Sequence, residues 1–465
     1  MRIGAALDIG CKIPGLQVRR FPRLAIQQLL RSRPPRDDSR VFFYFGVFTF
    51  LLGILNPVNY FTDISTSYML KNQLHATAEQ VSTFRVWTLL PVYLAFIFGF
   101  VRDRWNPLGL RDRGLLLIFG PTTAAVFFWL AVQKVTIVNL YLGVFMVVLS
   151  TRFINAAYQG LISLVGQEKL MSGRLAAVWT IVLYIPTATS AWLAGFASES
   201  FKPSQTFIVL AGFSVSIGLI GFWKPKAVFS HAYDRPEAKN LDLWSDVRRL
   251  LKHKAIYAPV LIMFLWNFAP GAQTPLQYYL TNTLHASDAA YANFNAIFTI
   301  SFIPTLFLYG WLCTRVPLRK LLFWGTVVAV PQLVPLLFVK SALGAELLAI
   351  PIGLMGGMAT AAYYDLAMRS CPPGLQGTLM LMVDGVYYLC QRGGDLLGSK
   401  IFDSAPNPKT GFLYCVISIT VVYALILPAL KLAPSYLTAT ADGERNKEYE
   451  QKLTRPRLEF EQDAL

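Results

Sequence analysis

Long apolar runs alternate with short polar segments along almost the whole chain. Twelve runs, at 43–69, 83–101, 114–132, 136–164, 173–196, 204–223, 255–280, 290–312, 319–339, 345–367, 376–398 and 411–431, come close to or exceed the roughly 20 residues a helix needs to cross the hydrocarbon core. The stretch GLLLIFGPTTAAVFFWLAV at 114–132 is too long and too continuously apolar for an outer-membrane barrel strand, which alternates over about 10 residues. Where polar residues interrupt a run they recur at spacings of three and four, which places them on one face of a helix. The pattern predicts an all-α membrane protein with twelve transmembrane helices.

Composition agrees. Of 465 residues, 54% are apolar and 15% charged, against about 25% charged in soluble domains. So apolar a chain cannot be disordered, and five cysteines at 11, 313, 371, 390 and 415 form no disulfide framework. The net charge of +16 is a matter of topology. Of the 42 Lys and Arg residues, 33 fall on the side that holds both termini and the even-numbered loops, and 7 on the other. The positive-inside rule makes that side cytoplasmic. The basic residues are scattered over short loops with no recognition module, so nucleic acid is not an expected partner. The first 40 residues lack an apolar core for a cleaved signal, and the polar tail after Leu432 reads as poorly ordered.

Two segments are near copies: YMLKNQLHA at 68–76 and YYLTNTLHA at 278–286. The constant offset divides the chain into a basic segment 1–42, a six-helix bundle 43–223, a linker 224–254, a second six-helix bundle 255–432 and a tail 433–465. Tandem six-helix halves describe the major facilitator fold, in which one half rocks against the other about a central site. The loop after the second run reads GFVRDRWNPLGLRDRG. Its Gly99, Asp103, Arg104 and Arg111 resemble the major facilitator loop 2–3 signature. The glycine lets two helix ends approach, and the carboxylate can pair with Arg or a helix N-terminus. In the second half, GWLCTRVPLRK keeps Gly310 and Arg315 but has Thr314 in place of the acid.

The flanking text resembles the folate–biopterin transporter family. The resemblance is carried by YMLKNQLHATAEQVSTFRVWTLLPVYLAFIFGFVRD, WNFAPGAQTPLQYYLTNTLHASDAAYANFNAIF, LYGWLCTRVPLRKL and CPPGLQGTLMLMVDGVYYL. It covers roughly residues 45–113 and 255–400. The family's Pro-Trp-x-x-Lys-Pro pattern is replaced by Pro91-Val92-Tyr93-Leu94-Ala95-Phe96, and its acidic residues on span 4 by Asn155 and Gln159.

The resemblance implies a cavity lined by spans 1, 4, 7 and 10. Polar groups on those spans are the candidate substrate ligands: Asn56 and Asn59; Arg152, Asn155 and Gln159; Asn267, Gln273, Thr274, Gln277 and Tyr278. Arg152 has no acid three or four positions away, so it needs a partner across the cavity or an anionic substrate held bidentately. Asp63 and Asp384 are the proton-coupling candidates, since ionisable groups in a span commonly form proton relays. Arg392 and Asp395, three apart on span 11, are expected to pair with each other. Gly99, Asp103, Arg104, Arg111 and Asp365 are the expected cytoplasmic gate. Tyr60, Trp266, Tyr278, Tyr363 and Tyr387 offer faces on which a flat heteroaromatic solute could stack.

Four histidines show no metal-ligand spacing, no Gly-x-x-x-x-Gly-Lys-(Ser/Thr) is present, and no nucleophile–base pair is evident. Neither a metal, a cofactor nor an enzymatic reaction is expected. The expectation is a monomeric secondary carrier in the plasma (inner) membrane, both termini cytoplasmic. It would move a small polar or heteroaromatic solute, pterin- or folate-like by resemblance, by alternating access coupled to protons. Its partners are that solute, the bilayer and protons. A carrier for another solute (a sugar derivative, a peptide fragment, a drug) and a non-transporting assembly factor on the same fold stay open.

Overall fold

A computed structural model describes residues 36–56, 61–76, 78–229, 243–285 and 288–444. Asn59, Tyr60 and the first 35 residues lie outside the described residues. All the regular structure among the described residues is helical. In chain order the main helices are α1 Arg36–Leu55, α2 Phe61–Asn72, α3 Ala78–Thr88, α4 Ala95–Arg104, α5 Asp112–Val132, α6 Ile137–Glu168, α7 Ser172–Ser200, α8 Pro203–Ile220, α9 Leu243–Lys252, α10 Tyr257–Asn267, α11 Thr274–Tyr278, α12 Asp288–Leu312, α13 Leu318–Ala329, α14 Ala342–Arg369, α15 Gln376–Asp403 and α16 Pro408–Ala424. Eight helical segments among the described residues are long and apolar enough to cross a membrane, including α5, α6, α8 and α14. α15 is as long as α14 but carries Asp384, Arg392 and Asp395.

Several predicted spans are interrupted, the second, seventh and first in ways that bear on the site. The second divides into α3, a single turn Leu90–Tyr93 and α4, with Pro91 at the start of the turn. The seventh divides into α10 and α11, because Pro270 and Pro275 cannot donate to a helical ladder. Gly271 takes φ +101 between them, its Cα against Cys415 of α16. Past α11 the chain makes a π-helical turn, Tyr279–Thr283. The first span continues only to Leu55 before α2 begins at Phe61. The two copied segments end alike: His75 and His285 both adopt left-handed backbone, φ 47 and 52.

Helices pack in a way that joins the two halves of the chain. α4 and α6 lie against α15, and α7 lies against α12 and α14. Outward-facing side chains such as Phe128, Leu219, Phe307 and Trp324 are more than half exposed. An apolar perimeter of this kind is at home in lipid, where water would penalise it.

The described part of the tail, residues 433–444, departs from expectation: Leu437, Thr438, Ala441 and Asp442 are buried against the ends of the helices. Likewise α9, in the linker, reaches across to the α14–α15 connection, where Arg249 donates to the Pro373 carbonyl. Next to it, burial and the neighbouring Arg249 push the His253 imidazole below its ordinary value, against a hydrogen bond with the Ser370 backbone. The unfolded chain, near 6.5, therefore takes the proton first. Stability is full above that pH and declines as the pH falls below it. Replacing His253 with Gln is expected to flatten the decline in melting temperature between about pH 7 and 5.5 by about 2 °C, measured on the purified protein.

Candidate transport site and inner closure

Arg152 occupies the sixteenth of the 32 positions of α6, on the order of 23 Å from either end. Its side chain is 1% exposed. Nη1 donates to Asp384 Oδ2 of α15 at 3.0 Å, an ion pair that spans the two halves of the chain. Nε and Nη2 have no hydrogen-bond partner. Two turns along α6, buried Gln159 leaves its Oε1 unsatisfied. Tyr364 and Tyr387 stand within electrostatic reach of Asp384. Asn155 turns back on its own helix and donates to Thr151 O at 2.9 Å. The partner that Arg152 required is thus Asp384, one of the two carboxylates singled out for proton exchange.

One turn beyond Asp384, Tyr388 receives a hydrogen bond from Asn56 of the first half at 3.4 Å. Asp63 of α2 pairs with Arg85 of α3 at 3.2 Å, within its own half. In the interrupted seventh span, Asn267 closes α10 and donates to Met263 O. Gln273 precedes α11 with a non-helical backbone. Thr274 gives both its amide and its hydroxyl to Asp395, each at 2.9 Å. The expected Arg392–Asp395 pair is therefore not formed: the open N-terminus of α11 offers the carboxylate an amide and a hydroxyl together, and it lies closer. Gln277 sits half-buried behind Thr274, and Tyr278 is 52% exposed. Two of the proposed stacking faces are committed to packing: Trp266 stacks on Tyr423 at 4.6 Å, and Tyr363 is fully buried with its hydroxyl on Thr326.

The helix ends at the α4–α5 and α14–α15 connections are shut. At Gly99 a Cβ would fall 2.6 Å from the carbonyl of Gly377 and from the Cα of Thr378, so α4 and α15 touch backbone to backbone. Asp103 accepts from the amides of Gly377 at 3.1 Å and Thr378 at 2.8 Å, and from the Thr378 hydroxyl at 2.7 Å. No side chain of the preceding residue, Leu375, caps α15. The carboxylate therefore meets the orphan donors and the positive end of the helix dipole. Its cationic partner is Arg102, at 2.7 Å, which also grips Asp112 through Nε and Nη2 at 2.6 and 2.7 Å. The expected partners differ: Arg104 is exposed, and Arg111 bends the chain with φ 50 while its amide donates to Asn106. Arg102 lies over Gly160 of α6, where a Cβ would collide with the guanidinium. Nothing in the motif spacing signals that clearance, because Gly160 is distant in sequence and meets Arg102 only in the fold.

Asp365, fully buried, holds Arg369 through two hydrogen bonds at 2.8 and 3.1 Å and accepts from the Tyr309 hydroxyl at 2.8 Å. Gln167 at the end of α6 donates to the carbonyls of Met368 and Cys371 at 2.9 and 2.8 Å. Buried Cys371 receives the Ser163 hydroxyl at 3.2 Å.

The Major Facilitator Superfamily family model matches residues 41–399. A folate-biopterin transporter of Synechocystis sp. is 22% identical over 410 residues, 83% of this chain and 80% of that protein. Folate transporter 2 of Plasmodium falciparum is 19% identical over 288 residues, 61% of this chain and 62% of that one. Among solved structures, the E. coli fucose:proton symporter FucP superposes with a TM-score of 0.64 at 14% identity, and the human organic anion transporter MFSD10 with 0.61 at 12%. Each of these covers 86% of this chain and 100% of the other.

Proposed function

The chain belongs to the Major Facilitator Superfamily, and from that membership we propose that it is a twelve-helix, two-half secondary carrier whose substrate is an anionic pterin- or folate-like solute. It is an integral membrane protein that moves a small solute. The finer reading rests chiefly on one observation: a guanidinium at mid-membrane, on the seam between the halves, engaged through a single nitrogen and with Nε and Nη2 unsatisfied. An unmet fork of this kind matches a planar carboxylate. The names of the Synechocystis and Plasmodium relatives point to the same class of solute.

In the proposed cycle the solute carboxylate takes the open edge of Arg152 and loosens Asp384, which then accepts a proton. Gln159 bonds the solute, and Asn56, Asn155, Asn267, Gln273, Thr274, Gln277 and Tyr278 contribute polar contacts as the halves separate. With substrate and proton aboard, no bare charge is left at the seam, and the halves can rock. Asp63, held by Arg85, belongs to the outer end of the same path. Asp103, Gly99 and Asp365 keep the inner end shut meanwhile. Both termini are cytoplasmic, the membrane is the plasma membrane, and the carrier works as a monomer.

A second reading, another small anionic solute, is favoured by Pro91–Phe96, which lacks the lysine the resemblance calls for. One assay separates the two. Protein in proteoliposomes is offered labelled folate, biopterin or p-aminobenzoylglutamate, with and without an inward proton gradient. Saturable uptake of at least one, stimulated by the gradient, is expected. Uptake that ignores the gradient removes the proton. Failure of all three, with uptake of an unrelated organic anion, replaces the solute.

A further inference from the structure

The closures at α15 and α7 are built alike, although the sequence supplies a gate carboxylate only for the first. Each helix begins without a side-chain cap from the residue before it, Leu375 for α15 and Met171 for α7. Each has glycine as its second residue, Gly377 and Gly173. At α15, the two oxygens of Asp103 accept from the amides of Gly377 and Thr378 at 3.1 and 2.8 Å. At α7, the two oxygens of Asp442 accept from the amides of Gly173 and Arg174 at 3.1 and 3.3 Å. Asp103 is reinforced by Arg102, and Asp442 by Arg174 Nε at 2.9 Å.

In the first half the carboxylate comes from Asp103, in the last turn of α4. The motif spacing puts Thr314 in the acid's place, but Thr314 is exposed; in space the place falls to Cys313, whose Cβ lies 3.0 Å from where a Cβ on Gly173 would stand. A thiol is only a weak acceptor and carries no charge to set against the helix N-terminus. Instead the amide of Asp442 donates to the Cys313 carbonyl at 2.8 Å, which sets the tail carboxylate beside the missing one's position. The tail is pinned further by Arg369 Nη1, which donates to the carbonyls of Leu437 and Thr440 at 3.3 and 3.1 Å, and by the Leu318 amide on Thr440 O. Arg174 also reaches Asp38 at the start of α1, so the same cation gathers both ends of the transmembrane region.

We propose that the segment Pro434–Gly443 is the second cytoplasmic latch of the carrier, with Asp442 of the tail replacing the carboxylate that the end of α12 lacks. The segment is covalently part of the second half and hydrogen-bonds the first. Opening the inner face must pull Asp442 from the α7 amides, just as it must pull Asp103 from those of α15. The tail thus sets how readily the carrier opens toward the cytoplasm. The proposal rests on the alternating-access reading, but its test needs no substrate.

Buried Cys371, against Ser163 of the other half, is a native reporter of inner opening. In a Cys11→Ala background, the full-length protein in inside-out vesicles is treated with a membrane-impermeant maleimide, and modification of Cys371 is followed by peptide mass spectrometry. Asp442→Ala is expected to raise the labelling rate about 10-fold, and adding Cys313→Asp to bring it back to within about twofold of the parent, since a hydrogen bond to a charged group is worth roughly a factor of ten or more. Asp442→Asn, nearly isosteric, is run alongside in case the alanine variant folds poorly and is expected to label faster than the parent. An unchanged rate in folded Asp442→Asn, or no return with Cys313→Asp, overturns the proposal. Faster labelling with no uptake of any tested anion leaves the latch standing and sinks the solute; normal uptake with unchanged labelling does the reverse.

Discussion

Replacing Arg152 with alanine is expected to lower uptake roughly 100-fold or more, the scale of losing one partner of a buried, hydrogen-bonded charge pair. Two losses combine. The solute loses its fork, and Asp384, with only 17% of its side chain exposed, is left facing a partly dry seam without a counter-charge. Breaking a buried pair this way costs about 3–5 kcal/mol, which should appear as a lower melting temperature in detergent. The double variant Arg152→Ala/Asp384→Asn separates the losses. It removes the stranded charge and should recover most of the stability while uptake stays absent. Arg152→Lys tests geometry: a lysine keeps the charge but offers no planar fork, so solute affinity should fall even where the ion pair survives. If Arg152→Ala transports at the parental rate, the seam is structural and the substrate site lies elsewhere.

The second large effect is expected at Gly99. A leucine there must displace the backbone of Gly377 and Thr378, since even its Cβ would fall at 2.6 Å. Backbone cannot rotate away as a side-chain tip can. Overpacking of this kind costs about 1–3 kcal/mol, and it is levied only on the state with the inner end shut. The variant should therefore favour the inner-open form. By the exchange rule of 1.4 kcal/mol per factor of ten, that penalty is about 5- to 150-fold in population. Cys371 should label correspondingly faster from the cytoplasmic side, and net uptake should collapse because the carrier rarely faces outward. Asp103→Asn, which keeps the packing and removes the charge, should shift the balance in the same direction but less. Slow labelling of Cys371 in Gly99→Leu, in a protein that remains folded, would show that α4 and α15 part at some other point.

Much of this was readable from the chain. Apolar runs located the helices because a bilayer imposes length and continuity. Gly99 and Asp103 stood out because close approach and helix capping each demand a particular residue type. Arg152 stood out because an arginine in a span needs a partner. What could not be read depended on neighbours distant in sequence. Arg102 rather than Arg104 serves Asp103 because Gly160, on another helix, leaves room for it. Asp395 deserts Arg392 for Thr274 because the break at Pro270 and Pro275 exposes an amide that a continuous helix would have hidden. Asp442 lay in a polar tail whose composition suggests disorder, and only its contacts with α7 give it a place. Trp266 and Tyr363 could not be told from stacking residues by type alone; their partners Tyr423 and Thr326 decide it.

The grip of Asp395 on Thr274 has a mechanical corollary. α10 and α11 are separate rods joined at Gly271, and α15 grips the joint itself: Gly394 and Gly398 lie against the backbone of Ala269, Pro270 and Gly271, and Asp395 between them holds Thr274. When α15 swings, the joint and α11 must follow, while Trp266 keeps α10 against Tyr423 and Tyr363. The seventh span can then act as a crank, turning the tilt of one neighbour into a sideways sweep across the mouth of the pathway without unwinding anything that was ever wound.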